Sequence, residues 1–271
     1  MFRILVTNDD GYLSPGLYLL YEAVKELGEA RIYSTEYPRS AIARTISFNC
    51  PLRLVERRYL GYKVYVTDGT PIDAFYLAMG VHKFRPNIVV SGINVGENLT
   101  LQHIYYSGTV AVAIEAALHG IPSIAFSADI MGYEEFDDPV FSSAIKVIAK
   151  ELVSYVLSKG LPSGIDVLSV NIPSPSRIRS CVSLLPAARL RWRAEFETRL
   201  DTRGRPYYWL RTVPLEGEEG TDIHALERGC TVVTPLSVDL NVSARVGQLE
   251  GLEGVLRSLE LLLKKALGSA A

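Results

Sequence analysis

The feature that most limits what this chain can fold into is a recurring form: a short apolar run, a polar turn cluster, then a helical stretch. Arg3–Thr7 (RILVT) is apolar and rich in β-branched residues, so it reads as a buried strand, and it ends in Asn8-Asp9-Asp10-Gly11. In residues 17–27, Leu17, Leu20, Val24 and Leu27 recur at spacings of three and four, which predicts a helix with Gly28 as its stop. Strands are expected at 30–33, 62–67 (YKVYVT), 87–90 (NIVV), 122–127 and 166–170. Helices are expected from Pro71 to about Val81, over 108–118 with His119-Gly120 as its stop, and over 141–157. Units of this kind build a mainly parallel sheet with helices on both faces, joined by right-handed crossovers. Ligands of such sheets bind beyond the carboxyl ends of the strands. Those ends carry the polar clusters Asn8–Gly11, Asp68-Gly69-Thr70-Pro71 and Ser91–Asn98.

After about residue 175 the alternation stops. Residues 199–206 read as the tip of a β-hairpin with aromatic and charged arms (Trp192, Phe196, Tyr207, Tyr208, Trp209). Residues 213–221 read as an acidic, Gly-rich loop, 230–235 as a strand, and 254–267 as an amphipathic helix. The expected division is therefore an α/β domain over 1–175 and a C-terminal part over 176–271 suited to joining subunits. The latter carries the hairpin (about 192–211) and the terminal helix (about 254–267).

Composition excludes several classes. With 271 residues, 48% of them hydrophobic, and a net charge of −2, the chain is neither disordered nor a bulk binder of nucleic-acid duplexes. No apolar run reaches membrane-spanning length, and the N-terminus lacks the pattern of a secretory signal, so a cytoplasmic protein is expected. Three widely spaced cysteines (Cys50, Cys181, Cys230) match no metal motif or disulfide framework and point to a reducing compartment. The near-neutral total conceals a local excess: residues 177–211 hold nine arginines against three acids. That excess fits interface ion pairs, or a basic arm bordering a phosphate site.

Asp9-Asp10 is the sharpest chemical feature. Two adjacent carboxylates closing a buried strand repel each other, and a divalent cation would neutralise them; a solvated turn is the plainer reading. Ser91-Gly92-Ile93-Asn94-Val95-Gly96-Glu97-Asn98 offers amides and closely approachable backbone, as a phosphate or a cation requires, or it is an ordinary Gly/Asn loop. Ser107-Gly108-Thr109 opens a helix and is either an anion site or a simple N-cap. Ser40, after Arg39, is either a hydroxyl ligand or a surface serine. Of the four histidines, His119 reads as a helix end, His82 and His224 as surface residues, and His103 as a residue that could approach the site. Walker A, dinucleotide-binding, nucleophile-elbow and zincin motifs are absent.

Taken in order, Leu5–Gly11, Arg39-Ser40, Asp68–Pro71, Ser91–Asn94 with Gly96 and Asn98, and Ser107–Val110 resemble the SurE family of survival-protein-E nucleotidases. A weaker match continues through Arg191-Trp192-Arg193 and Ala225–Pro235. The resemblance implies a Rossmann-like α/β sandwich with a protruding hairpin and a swapped terminal helix, which makes 1–175 the catalytic domain and 176–271 the oligomerisation part. It also implies a metal-dependent phosphomonoesterase acting on nucleoside monophosphates, with 3′-nucleotides and short polyphosphate as further substrates. By position, Asp9, Asp10, Ser40 and Asn94 would hold one divalent cation per subunit, Mg²⁺ or Mn²⁺. Asn98 and Ser107-Gly108-Thr109 would face the phosphate. Whether Asp9 or metal-activated water attacks is left open. A homodimer or homotetramer is expected, with no membrane partner. Two departures stand out: Arg44–Ser47 (RTIS) in place of a Gly-His-type stretch, and Cys230 where Tyr is common. The competing reading is a metal-gated nucleotide-binding or signalling module without turnover. A haloacid-dehalogenase-type site is disfavoured, because it needs Asp-x-Asp where this chain has Asp-Asp.

Overall fold

The computed structural model describes residues 1–241, 255–259 and 262. They fall into two compact units, 1–238 and 239–271. In the second, 255–259 and 262 are helical, and the rest of the helix expected over 254–267 lies outside the described residues.

The first unit is built on a nine-stranded sheet. Its strands are β1 (Arg3–Thr7), β2 (Glu29–Thr35), β3 (Leu54–Tyr59), β4 (Tyr62–Thr67), β5 (Ile88–Val95), β6 (Ser123–Ala128), β7 (Val167–Ile172), β8 (Val182–Leu184) and β11 (Thr231–Leu236). The order is β3-β4-β2-β1-β5-β6-β7-β11-β8. The run from β4 to β7 is wholly parallel. Antiparallel β3 edges it on one side, and antiparallel β11 with parallel β8 on the other. Strands β8 and β11, both beyond residue 175, thus extend the same sheet.

Alternation along β1 shows how the faces are filled. Ile4 and Val6 pack with Leu17, Leu20 and Val24 of α1 (Pro15–Val24) and with Phe141, Ile145 and Val153 of α5 (Pro139–Lys159). Leu5, between them, packs with Phe75 and Ala78 of α2 (Pro71–Gly80) and with Ala111, Val112 and Ala116 of α4 (Gly108–Leu118). A strand buried on both faces needs this uninterrupted apolar run. Thr70 and Asp73 form a reciprocal capping box at the start of α2, with Pro71 in its first turn, so the Asp68–Pro71 cluster serves as turn and helix start. Two short helices complete the unit, α3 (Thr100–Tyr106) and α6 (Asp222–Glu227). The hairpin is a separate two-stranded ribbon of β9 (Trp192–Leu200) and β10 (Pro206–Pro214), in register from Trp192↔Pro214 to Leu200↔Pro206. Among the described residues no helix is long and apolar enough to cross a membrane.

Three expectations are corrected. The polar segment after residue 90 is not a loop at its start: β5 runs on through Ser91-Gly92-Ile93-Asn94 to Val95. Only glycine fits at position 92, where φ is +126° and a Cβ would stand 2.2 Å from the Phe126 carbonyl oxygen. Cys181 and Cys230 form a disulfide across 49 residues, so cysteine usage no longer argues for a reducing compartment. His82 and His224 are half-buried rather than at the surface, and His82 Nδ1 lies 2.8 Å from the Tyr33 hydroxyl. His119 does end α4.

Candidate active site

The sheet order reverses between β1 and β5, because β2, β3 and β4 lie on one side of β1 and the strands from β5 onward on the other. At the carboxyl ends of these two strands stand Asp9, Asp10 and Asn94, in the crevice where open α/β sheets bind ligands. The tight turn after β1 is held by Asn8, whose Nδ2 donates to the Gly11 carbonyl (2.9 Å) and whose Oδ1 accepts from the Ser34 hydroxyl (2.6 Å). Both carboxylates are therefore fixed inward, 4% and 8% exposed.

Asp9 faces the start of α4. The Thr109 hydroxyl donates to Asp9 Oδ1. Burial raises the Asp9 pKa, and the Thr109 hydroxyl with the N–H groups of Thr109 and Gly108 offsets only part of that rise. Position 108 must be small, because a Cβ there would meet Asp9 Oδ2 at 2.7 Å. Asp10 accepts the Val95 N–H at 3.1 Å. Burial, reinforced by the Asp9 charge, pushes its pKa up to about 7. Asn94 is oriented by its Nδ2, which donates to the Gly96 carbonyl at 2.7 Å. Its Oδ1 lies 3.4 Å from the Thr109 hydroxyl.

Asn98 is held from two adjacent strands. Its N–H donates to Asn171 Oδ1 (2.7 Å) and its side-chain amide to the Ser127 hydroxyl (2.8 Å). Ser127 and Asn171 are register partners on β6 and β7. Ser107 is the N-cap of α4, its hydroxyl accepting from Val110 N–H at 3.1 Å, as the plainer reading of that residue had it. Ser40 is exposed and lines the same cavity of about 280 Å³ as Asp9, Asn94, Asn98 and Ser107. Of the expected site residues, Asp9, Ser40, Asn94, Asn98 and Ser107 thus line one cavity; Thr109 and Gly108 abut Asp9, and Asp10 is hydrogen-bonded to Val95 beside it.

Two adjacent, buried carboxylates whose pKa values are both raised form an oxygen donor set suited to a hard divalent cation. Among the described residues no group of three or more His, Cys, Asp and Glu side chains could hold a metal. A cation here would need neutral oxygens as well, and Asn94 Oδ1 and the Ser40 hydroxyl are among the neutral oxygens on the cavity wall.

The model of the family described as "Survival protein SurE" matches residues 4–193, well over half of the chain. The chain belongs to the SurE family. This SurE chain is 42% identical over 251 residues to a protein of Thermofilum pendens named 5′-nucleotidase SurE, covering 92% of this chain and 96% of that one. It is 43% identical over 243 residues to a protein of the same name from Hyperthermus butylicus, covering 89% and 86%. The crystal structure of the SurE protein from Aquifex aeolicus superposes with a TM-score of 0.77 at 32% identity, covering 93% of this chain and 99% of that one.

Several residues that line or brace the crevice carry no local signal for the partners they make. Asp222, fully buried, accepts from Thr100 N–H at 2.7 Å and Ala188 N–H at 3.0 Å, and so seats the start of α3. Glu97 accepts from Leu99 N–H (2.9 Å), from His103 Nδ1 (3.0 Å) and from Arg191 Nε (3.2 Å). Tyr106 and Trp192 line the same cavity as Asp9. The sequence singles out His103, the Arg191-Trp192-Arg193 segment and, within Ser91–Asn98, Glu97, none of them with this partner set.

Proposed function

We propose that this chain is a divalent-metal-dependent phosphomonoesterase that releases phosphate from nucleoside monophosphates. The observation that carries the proposal is the buried Asp9–Asp10 pair, with Asp9 lining a cavity that Ser40, Asn94, Asn98 and Ser107 also line. Relatives named 5′-nucleotidase, alike over most of the chain, support it.

Asp9, Asp10, Ser40 and Asn94 are the residues that would hold one Mg²⁺ or Mn²⁺ per subunit. When bound, that cation neutralises charge on the transferring phosphoryl group and acidifies water. The chain's own groups do the rest. Thr109 fixes the Asp9 carboxylate in one orientation through its hydroxyl. Asn98, held by Asn171 through its backbone N–H and by Ser127 through one amide N–H, lines the cavity, and its second amide N–H would serve a phosphoryl oxygen. The start of α4 adds the positive end of its dipole, which favours an anion. Pre-set donors of this kind need no reorganisation as negative charge shifts on the phosphoryl group.

The hairpin and the terminal segment are assigned to joining subunits as a dimer or tetramer. The hairpin strands expose Phe196, Leu200, Tyr208, Trp209 and Leu210, an apolar load heavy for a solvated ribbon. A cytoplasmic location is part of the same reading. The test is an activity matrix of Mg²⁺, Mn²⁺ and EDTA against nucleoside 5′- and 3′-monophosphates and short polyphosphate. Metal-dependent phosphate release from at least one nucleoside monophosphate is expected. Turnover in EDTA equal to that with metal would reject the scheme.

A further inference from the structure

The cavity has one side that the phosphate chemistry does not use. Trp192 and Tyr106 line it, with ring centroids 6.3 Å apart and planes inclined by 36°. Trp192 is the first residue of β9, and it is seated with unusual thoroughness. Gln102 Oε1 accepts both the Arg191 N–H (2.9 Å) and the Trp192 N–H (3.1 Å). The indole Nε1–H donates to His103 Nε2 at 2.8 Å. An accepting Nε2 leaves the imidazole proton on Nδ1, which faces Glu97 Oε2 at 3.0 Å. Arg191 closes the chain by donating Nε–H to the other Glu97 oxygen at 3.2 Å.

This arrangement has a chemical consequence. The only hydrogen-bonding group of the indole is spent on His103, so toward the cavity Trp192 offers apolar, π-electron surface alone. Tyr106 is half-exposed and adds a second ring beside it. A phosphate or a bare sugar gains little from such a wall, whereas a planar base stacks on it whatever its substituents.

We propose that Trp192 and Tyr106 form the wall that holds the base of the substrate, and that His103 and Glu97 are positioning residues that fix the indole. This rests on the phosphomonoesterase reading and names what that site selects: nucleotides over phosphate esters without a base. The selectivity is relaxed among bases, because stacking does not read hydrogen-bonding edges.

The chain has two tryptophans, and Trp209 lies exposed on β10. A Trp209→Phe protein therefore reports Trp192 alone by fluorescence. AMP is expected to quench it saturably, and ribose 5-phosphate, which has the same sugar and phosphate but no base, is not. In parallel, the ratio of kcat/KM for AMP to kcat/KM for ribose 5-phosphate is expected to fall about tenfold in Trp192→Ala. The same direction is expected in Tyr106→Ala, which tests the wall should the first variant fail to fold. Trp192→Phe, which keeps a ring, should hold the ratio within about threefold of the parent. Equal quenching by the two esters, or equal losses on both in the alanine variants, overturns the proposal. Failure of the unaltered protein to release phosphate from any ester would count against the phosphatase reading instead, and the quenching comparison would still decide whether the wall binds a base.

Discussion

The hydroxyl of Thr109, in the first turn of α4, donates to Oδ1 of Asp9 at the end of β1, joining positions 100 residues apart. This bond ties the carboxylate to the positive end of a helix and sets its orientation. Thr109→Val keeps the shape and removes the donor. Its kcat on AMP should fall about 100-fold, the cost typical of losing one pre-set donor, while Thr109→Ser stays within several-fold. Phosphate-release kinetics on the two variants check this.

Gly108→Ala separates function from folding. Alanine is favoured over glycine in a helix by about 1 kcal/mol, yet its Cβ would stand 2.7 Å from Asp9 Oδ2 and 2.9 Å from Asp9 Cβ. The carboxylate must move. The expected outcome is a folded protein with a thermal midpoint near the parent's and activity reduced at least tenfold, read by calorimetry and phosphate release.

The Cys181–Cys230 disulfide closes a loop that contains the whole hairpin. In the chain-entropy account, a closed loop of this size is worth about 4 kcal/mol. Reduction, or Cys181→Ser with Cys230→Ser, should lower the guanidinium midpoint, and a free-thiol count of one in the unreduced denatured protein should identify Cys50 as the remaining thiol.

Glu97 gives the protein an acid-side dependence. Burial alone would raise its carboxyl, but hydrogen bonds from His103 and Leu99 N–H, with the charge of Arg191, prevail and hold it below 4.5. A depressed folded value means stability that is present above the ordinary carboxylate range and lost as pH falls through the folded value. Glu97→Gln should therefore flatten the fall of stability below about pH 4.5, measured by urea unfolding across that range.

How much was legible in the sequence follows from what each element needs. Strand β1, strand β4 and helix α4 carry their signals locally, as apolar runs closed by turn or cap residues, and β4 and α4 fall at the positions read for them. Strand β3 was missed because it is an edge strand with Glu56, Arg57 and Arg58 in succession, exposed and without alternation. Helix α3 was missed because its first residue, Thr100, is held at φ +64° by Asp222, 122 positions away. The residues proposed to hold the metal and the phosphate stand in motifs at strand ends and at a helix start, so they are legible locally. The clamp on Asn98 from Ser127 and Asn171 is not, since it depends on the register of β6 against β7. The disulfide, too, is a product of strand order: β8 and β11 are neighbours, and each begins one residue after its cysteine.

The central claim is that Asp9 and Asp10 form a divalent-cation site. The most direct measurement is titration of the protein with Mn²⁺, with free ion read by electron paramagnetic resonance, in the parent and in Asp10→Asn. The account predicts one saturable site per chain in the parent and its loss in the variant. It also predicts that the variant unfolds at a higher temperature than the parent in EDTA, because a buried like-charge pair has been relieved. A parent that binds no Mn²⁺, or a variant that binds it as tightly as the parent, would contradict the account.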